Sequence, residues 1–583
     1  MDKKGVAAVL EEMATLLELQ GANPFKSRAF QNASRAVDAL TQDLGSLVES
    51  GEITSIKGIG KSIAEIIGEL LRTGTSKEYE ALRKSVPDGV LEMLAIPGLG
   101  PKKVKALFEK LNIKTLGQLE KAARADRLSA LEGFGRKTQE NILQGLESLK
   151  RSADKSLYPV ALEAAEEILS AIQGMKEVRR CEIAGSLRRK KEIIGDIDIV
   201  ASAEDRHRRR IMEVFVSHPR VASVVAHGET KSSVLLSGGI SCDLRIVTDA
   251  EFPFALNYFT GSKEHNVEMR ARAKRYGWSL NEYGFSKLGD EGKRGKTKRV
   301  VRCRDERDIY RALELAYVPP ELRENLGEIE AAEQNRLPAL LEESDIRGTF
   351  HCHTTASDGL NTLQEMADAA KELGWSYLGI GDHSKAARYA GGLTEQEARA
   401  QVEEIDLLNS RMRGFRVFKG TECDILPDGE LDWPEKILSL FEYVVISVHS
   451  SFKMAEAQMT RRIIRALTKK HVTMLGHPTG RLLLSREPYP VDMVQVIDAA
   501  SDYGKMIEIN AHPMRLDIDW RLLKYASEKR VLIAINPDAH NVHGLRDVSY
   551  GVGIARKGWL KKGDVLNTRT AAEVTKIMNR IRG

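Results

Sequence analysis

From residue 347 onward, short apolar runs repeatedly end in a side chain that can bind a metal. The first is Gly348-Thr349-Phe350-His351-Cys352-His353. Tyr377-Leu378-Gly379-Ile380-Gly381-Asp382-His383, Val417-Phe418-Lys419-Gly420-Thr421-Glu422 and Val444-Val445-Ile446-Ser447-Val448-His449 follow. Val472-Thr473-Met474-Leu475-Gly476-His477 and Leu532-Ile533-Ala534-Ile535-Asn536-Pro537-Asp538-Ala539-His540 complete the set. With Met506–Asn510 there are seven strand candidates. They alternate with helical patterns such as Thr362–Leu373 and Glu395–Asn409, so residues 346–583 read as a parallel βα array. Ligands gathered from many strand ends are how a barrel-like fold builds a multi-metal site. The ligand set is His351, His353, Asp358, His383, Glu422, His449, His477, Asp538 and His540, enough for up to three ions with nitrogen and oxygen coordination. A lone histidine at a strand end is more often a hydrogen-bonded core residue, but six with three carboxylates form a pattern. Asp382 reads as support for the ligands, whereas His471, His512 and His543 fall off the pattern and read as surface or core residues.

A chain of 583 residues is too long for one ordinary core, so several domains are expected. Its 42% hydrophobic and 6% aromatic content suits a soluble globular protein. A net charge of +5 says little about nucleic acid, but the basic residues cluster. Lys293, Arg294, Lys296, Lys298, Arg299, Arg302 and Arg304 form one group, and Arg188, Arg189, Lys190 and Lys191 another. Arg208, Arg209 and Arg210 read as a solvated face. Five cysteines without CxxC spacing exclude a disulfide framework and a thiolate zinc site. Strand alternation turns Cys352 and Cys423 away from the neighbouring ligands, making them core thiols of a reducing compartment. Glu11 and Glu12 interrupt any signal-peptide apolar region, and no run reaches membrane-spanning length. The expected location is the cytoplasm, with no membrane.

Residues 1–150 read as almost wholly helical, with a stripe at Val6, Val9, Leu10, Met13, Leu16 and Leu17. One motif recurs there: Ile56-Lys57-Gly58-Ile59-Gly60-Lys61, Ile96-Pro97-Gly98-Leu99-Gly100-Pro101 and Leu131-Glu132-Gly133-Phe134-Gly135-Arg136. The glycines permit positive φ and close approach of backbone N–H groups to a phosphate, and the following helix start adds its positive dipole end. Such contacts position a duplex without reading its sequence. Gly58, Gly60, Lys61, Gly98, Gly100, Lys102, Gly133 and Gly135 are the candidate DNA contacts. From 151 the pattern becomes α+β.

A second carboxylate constellation lies in that region. Gly185-Ser186-Leu187-Arg188-Arg189 precedes Gly195-Asp196-Ile197-Asp198-Ile199-Val200. Alternation puts Asp196 and Asp198 on one face, and Asp243 in a similar strand is the candidate third. Neighbouring carboxylates are costly unless a cation sits among them. Three suit two Mg²⁺ ions about 3.5–4 Å apart, the arrangement that stabilises the entering and leaving oxygens of phosphoryl transfer.

The three glycine hairpins resemble the helix-hairpin-helix motif of DNA repair proteins, and Gly-Ser with Asp-x-Asp resembles the nucleotidyltransferase signature. Tyr258-Phe259-Thr260-Gly261-Ser262-Lys263-Glu264-His265-Asn266 looks like the nucleotide-pocket motif of family X DNA polymerases, the group containing DNA polymerase beta. Asn23-Pro24-Phe25-Lys26 fits the same family. The resemblance covers residues 1–316 and implies a helical DNA-end-binding domain (1–90), fingers (91–150), palm (151–257) and thumb (258–316), followed by a linker with helical pieces (317–345). It implies that Ser186 and Arg189 hold the triphosphate, that Asp196 and Asp198 bind both metals, Mg²⁺ or Mn²⁺, and that Asp243 binds the catalytic one. Tyr258 and Phe259 would line the sugar pocket, with Gly261, Ser262 and Lys263 at the nucleotide, Asn266 at the nascent base pair and Arg270 on the template side. His265 receives no role. Where the beta enzyme has its Schiff-base lysine this chain has Ile66, with Ser62 nearby. An alkyl chain cannot replace an amine nucleophile, so lyase activity by that route is not expected.

The C-terminal ligand pattern resembles the polymerase and histidinol phosphatase (PHP) domain. It implies a distorted (β/α)7 barrel over 346–583, with Zn²⁺, Mn²⁺ or Fe²⁺ and with Arg481 at a phosphate. In this order the two halves resemble bacterial family X DNA polymerases. The multidomain reading is therefore helix-hairpin-helix domains, an α+β nucleotidyltransferase palm and thumb, and an α/β PHP barrel, with the two metal sites in separate bodies. The implied function is gap-filling synthesis in base excision repair, acting as a monomer on gapped or primed DNA with dNTPs. A 3′–5′ exonuclease and an abasic-site endonuclease are implied for the PHP domain. A PHP nuclease or phosphatase docked on DNA by a non-polymerising front half is the alternative. A non-catalytic scaffold and a template-independent nucleotidyltransferase also stay open.

Overall fold

The computed structural model describes residues 1, 3–40, 44–56, 58–96, 99–131, 133–152, 155–288 and 301–582. Lys57, Gly98 and the basic residues from Lys293 to Arg299 lie outside them. The chain divides into two compact units, Met1–Ala153 and Asp154–Gly583.

The first unit is helical. Val6, Leu10, Met13 and Leu17 are at most 3% exposed, so one face of the helix Lys3–Gln20 enters the core. Asn23 caps the helix Pro24–Ala39, accepting from the Phe25 N–H at 2.9 Å, with proline where no N–H is needed. In each hairpin the apolar residue between the glycines (Ile59, Leu99 and Phe134) is buried, which pins the turn to the core. Gly58 and Gly133 adopt φ of +100° and +82°. Gly60 and Gly100 instead cap their helices at negative φ, and no atom lies within 4 Å of where their Cβ would stand. The second glycine thus serves by leaving the helix start uncovered, not by adopting positive φ. Residues 1–90 and 91–150, expected as two domains, share one apolar cluster running from Val6 to Leu146.

The second unit begins with a five-stranded sheet in the order Val178–Ile183, Asp196–Ala203, Ser241–Val247, Lys231–Leu236, Val221–His227. Asp196–Ala203 and Ser241–Val247 pair in parallel and bring Asp198 opposite Asp243. Ile197 and Ile199 on the other face are fully buried, which fixes the register. The following lobe packs Phe254, Met269, Phe285, Ile309 and Tyr310 together. Val318, Leu322, Ile329 and Ala332 belong to the same cluster. The span 317–345, expected as a linker with helical pieces, carries the helix Glu328–Glu333 and packs into that lobe's core.

From Gly348 onward the paired strands all run parallel. Gly348–Cys352, Tyr377–Ile380 and Arg416–Phe418 form a three-stranded sheet. Gly420–Asp424, Tyr443–Ser447, Met474–Leu475, Met506–Asn510 and Ile533–Asn536 form a five-stranded one. The third run breaks at Lys419, whose N–H turns to Glu442 at 3.0 Å. Bridges Cys352–Ala539 and His383–Glu422 join the two sheets, so the barrel closes with a distortion at the break. Phe350, Tyr377, Phe418 and Tyr443 fill its interior, with Phe350 5.1–5.7 Å from the other three rings. Among the described residues no helix is long and apolar enough to cross a membrane.

The two candidate metal sites, expected in separate bodies, belong to this one unit. Trp520 Nε1 donates to Glu192 at 3.2 Å, and Arg481 reaches the same carboxylate at 3.3 Å. Lys557 pairs with Glu324 at 2.6 Å and Arg556 with Glu321 at 2.8 Å.

Candidate functional site

All nine C-terminal candidates fall into four overlapping groups whose ligand atoms lie within 4.8 Å of one another. His353, Asp358, His383 and His540 form one, and His351, His353 and Asp538 the second. His351, Glu422 and His477 form the third, and His383, Glu422 and His449 the fourth. They gather because parallel strands deliver every C-terminal end to one rim. Asp538 and His540 arrive from the strand Ile533–Asn536, far along the chain from His351 and His353.

These residues fit divalent cations. Both ring nitrogens of the fully buried His353 lack a hydrogen-bond partner, as do His351 Nε2, His383 Nδ1 and His477 Nδ1. Such orphaned buried nitrogens are costly without a cation to bind. His351, His477 and Asp538 hold φ of +55°, +21° and +52°. Non-glycine residues in this region cost on the order of 1–3 kcal/mol each, and such strain concentrates at functional sites. Burial opposes charge on His351, but Glu508, Glu422 and Asp538 outweigh it and hold its pKa well above the ordinary value. Burial instead prevails at His353, with His540 and His383 adding to it, and pushes its pKa down to about 4.

Supporting groups surround the ligands. Asp382 accepts from the Thr354 N–H at 2.8 Å, the Thr354 hydroxyl at 2.7 Å and Gln401 at 2.5 Å. Glu508, fully buried, bonds His351 Nδ1 at 2.6 Å, the His477 N–H at 3.0 Å and Asn536 at 2.8 Å. Asp424 meets His449 Nδ1 at 3.2 Å. Sequence reasoning missed the last two, although each left a signal. Glu508 is a charge inside an apolar strand, and Asp424 shares a face with Glu422 by period-2 spacing. His512, read as off the pattern, is half-buried beside Asp538 and Arg515. Arg481 is spent elsewhere: its Nε donates to the Arg515 carbonyl at 2.8 Å and its Nη2 to Leu516 and Glu192. The arginine at the cluster is Arg515, 3.5 Å from Asp538. Cys352 and Cys423 are buried in apolar clusters, which raises both thiol pKa values.

In the first sheet, Asp196 is exposed while Asp198 and Asp243 are half-buried. Burial, then the charges of Asp196 and Asp243, raise the Asp198 pKa to about 6. Gly185 makes room for Asp198, since a Cβ there would stand 2.5 Å from its Oδ2. Lys231, unnoticed in the sequence, places its ammonium 2.7 Å from Asp243 in the role a cation would fill. The residues therefore suit divalent ions.

Among the nucleotide candidates, Tyr258 and Phe259 are half-buried and pack edge to face at 5.2 Å, with Arg245 4.1 Å over the Phe259 ring. Asn266 Nδ2 donates to the Tyr258 carbonyl at 2.7 Å, and its Oδ1 occupies the space that Gly261 leaves open. Ser262 caps the helix Lys263–Arg275, accepting from the His265 N–H at 3.0 Å, and leaves Lys263 exposed at the helix start. Arg270 bonds the Asn266 carbonyl at 3.2 Å, and Ser186 is half-buried beside Gly185. Arg189 is not free: Nε donates to Glu324 at 2.9 Å and Nη1 to the Thr260 carbonyl at 2.7 Å. Ile66 is buried in the helix Lys61–Thr73, while Ser62, Lys61 and Lys102 are exposed.

Fold and sites together define a helix-hairpin-helix unit followed by a palm and thumb joined to a metal-binding barrel. Family models agree part by part: a helix-hairpin-helix domain matches residues 1–76 and a SAM-like helix-hairpin-helix tandem 90–148. The DNA polymerase beta thumb matches 255–324 and the PHP domain 349–512. The chain is 38% identical over 582 residues, all of both chains, to the DNA polymerase/3′-5′ exonuclease PolX of Bacillus subtilis (strain 168). It is 26% identical over 335 residues to DNA polymerase lambda of Rattus norvegicus, covering 54% of this chain and 55% of that one. A protein named as a probable phosphatase from Thermoanaerobacter sp. (strain X514) is 28% identical over 229 residues, 37% of this chain and 89% of the other. The chain belongs to the bacterial family X DNA polymerases that carry a C-terminal PHP domain.

Proposed function

We propose that this protein is a DNA-directed DNA polymerase that fills short gaps in base excision repair and trims 3′ ends with its PHP domain. The observation that supports the reading is that one compact unit holds Asp198 opposite Asp243, the Tyr258–Phe259 motif and nine candidate ligands gathered in overlapping groups. When bound, divalent ions at each centre neutralise phosphate charge and activate the oxygen nucleophile.

The chain's own groups do the rest. Asp196, Asp198 and Asp243 would hold Mg²⁺ or Mn²⁺, where Lys231 now stands 2.7 Å from Asp243. Ser186 and Arg189 take the triphosphate, with Arg189 exchanging part of its contact with Glu324 for phosphate. Tyr258 and Phe259 wall the sugar, with Gly261 and Ser262 shaping the turn, while Lys263, Asn266 and Arg270 face base and template. Gly58, Gly60, Lys61, Gly98, Gly100, Lys102, Gly133 and Gly135 grip the phosphates of gapped or primed DNA. At the PHP cluster the nine ligands hold up to three Zn²⁺, Mn²⁺ or Fe²⁺ ions, and the same centre suits abasic-site cleavage. The protein works as a cytoplasmic monomer.

The test is a 5′-labelled primer in a short 5′-phosphorylated gap with Mn²⁺, with and without dNTPs. Asp243→Ala should abolish extension and spare shortening, and His383→Ala should do the reverse. Shortening without any extension by the wild type would make the front half a docking module.

A further inference from the structure

Between His383 and the helix Glu395–Arg411 runs Ser384-Lys385-Ala386-Ala387-Arg388-Tyr389-Ala390-Gly391-Gly392-Leu393-Thr394. This loop is closed on itself. Leu393 N–H donates to the His383 carbonyl at 2.9 Å, Gly392 N–H to Ala387 at 3.1 Å, and Ala386 N–H to Asp432 at 2.7 Å. Gly392 is required for the closure, because a Cβ there would stand 2.0 Å from the Ser384 carbonyl oxygen. Ala387, Ala390 and Leu393 turn inward and are at most 3% exposed, whereas Tyr389 is 73% exposed. The loop spends small side chains on its anchorage and presents its one aromatic ring to solvent.

That ring stands at the metal cluster. Its centroid is 6.3 Å from His383 and 6.3 Å from His449, meeting the latter edge to face at 74°. A single exposed aromatic residue is ordinarily unremarked surface. Here a second group points to a ligand. Arg515, 3.5 Å from Asp538, has a buried Nη1 with no hydrogen-bond partner. An unpartnered guanidinium N–H suits a phosphate oxygen, and an exposed ring at the same ligand cluster suits a nucleobase.

We propose that Tyr389 is the stacking platform for the terminal base of a single DNA strand at the PHP cluster, with Arg515 holding that nucleotide's phosphate. The proposal rests on the exonuclease reading above and adds the two residues that hold the strand end, whatever its sequence. Stacking is sequence-tolerant because every base has a π face.

The test compares 5′-labelled single strands ending in an ordinary nucleotide or in a 3′-terminal abasic nucleotide, with Mn²⁺. The wild type should shorten the base-bearing end roughly ten-fold more efficiently in kcat/KM. Tyr389→Ala should lower that rate to the abasic level and leave the abasic rate unchanged, and Tyr389→Phe should retain the preference. Primer extension serves as the fold control and should be equal in all three proteins. A Tyr389→Ala variant that keeps the preference, or loses both rates equally, overturns the proposal. If the wild type shortens neither strand, the exonuclease reading fails by itself. Binding of the same two strands, followed by fluorescence anisotropy, then decides: Tyr389→Ala should abolish discrimination between them, and unchanged discrimination overturns the platform.

Discussion

Arg323 is fully buried in the lobe after the palm, and Glu306 answers its charge at 2.6 Å while also pairing with Arg188 at 2.6 Å. Burial opposes the Glu306 carboxylate, but the two guanidinium groups prevail and lower its pKa to about 2. Against an ordinary value of 4.5 this corresponds to roughly 3 kcal/mol. Because the folded-state pKa is depressed, the contribution is complete above about pH 4.5 and fades as pH falls toward 2. The stability gap between wild type and Glu306→Gln, measured by urea unfolding at several pH values, should therefore be widest near neutrality and narrow below pH 4.5. A gap flat from pH 6 to 3 would refute the assignment. His265 shows the same logic without charge. It is buried between Glu328 at 2.7 Å and the Tyr310 hydroxyl at 2.9 Å, and burial lowers its pKa. Neutral, it donates from Nδ1 to the carboxylate and accepts from tyrosine at Nε2, a structural task that its place in the nucleotide motif did not disclose.

The barrel strands explain glycines that alternation alone does not. A Cβ on Gly379 would stand 2.4 Å from Phe350, one on Gly420 2.1 Å from Tyr443, and one on Gly348 2.4 Å from the Tyr377 ring. These strands take glycine because an aromatic layer from neighbouring strands occupies the side-chain space. Gly379→Ala should destabilise the second unit by about 3 kcal/mol through overpacking. Gly563→Ala, where nothing lies within 4 Å, should be nearly neutral. Equal denaturant midpoints for the two variants would contradict this account. At this scale the sequence is informative where pattern is local. The Asp-x-Asp strand, the ligand-ended runs and the hairpin glycines all follow from spacing of two or three residues. The split at Lys419 does not, since it depends on Glu442 arriving from another segment.

Across the whole second unit, the seam between palm and barrel is built from buried charge. Lys557 is fully buried and bonds Glu324 at 2.6 Å and the Arg189 carbonyl at 3.1 Å, while Glu324 also holds Arg189 at 2.9 Å and Lys191 at 3.6 Å. Removing the shared carboxylate strands two buried cations; removing the lysine leaves Glu324 with two partners. Glu324→Ala should therefore cost roughly 3 kcal/mol and Lys557→Met clearly less. Equal unfolding costs would show that the seam is not organised around Glu324.

By itself the sequence pointed to the candidate aspartate trio, the nine candidate barrel ligands and the hairpin turns, because each rests on short-range periodicity or on residue types that chemistry rarely substitutes. Only the tertiary structure decided that Glu508 and Asp424 orient the ligands, that Arg515 and not Arg481 faces the cluster, and that Lys231 neutralises Asp243. It alone placed residues 317–333 inside a core and joined palm to barrel. These are contacts between segments tens to hundreds of residues apart, set by which surfaces remain to be buried once the local elements have formed, and no local pattern encodes them.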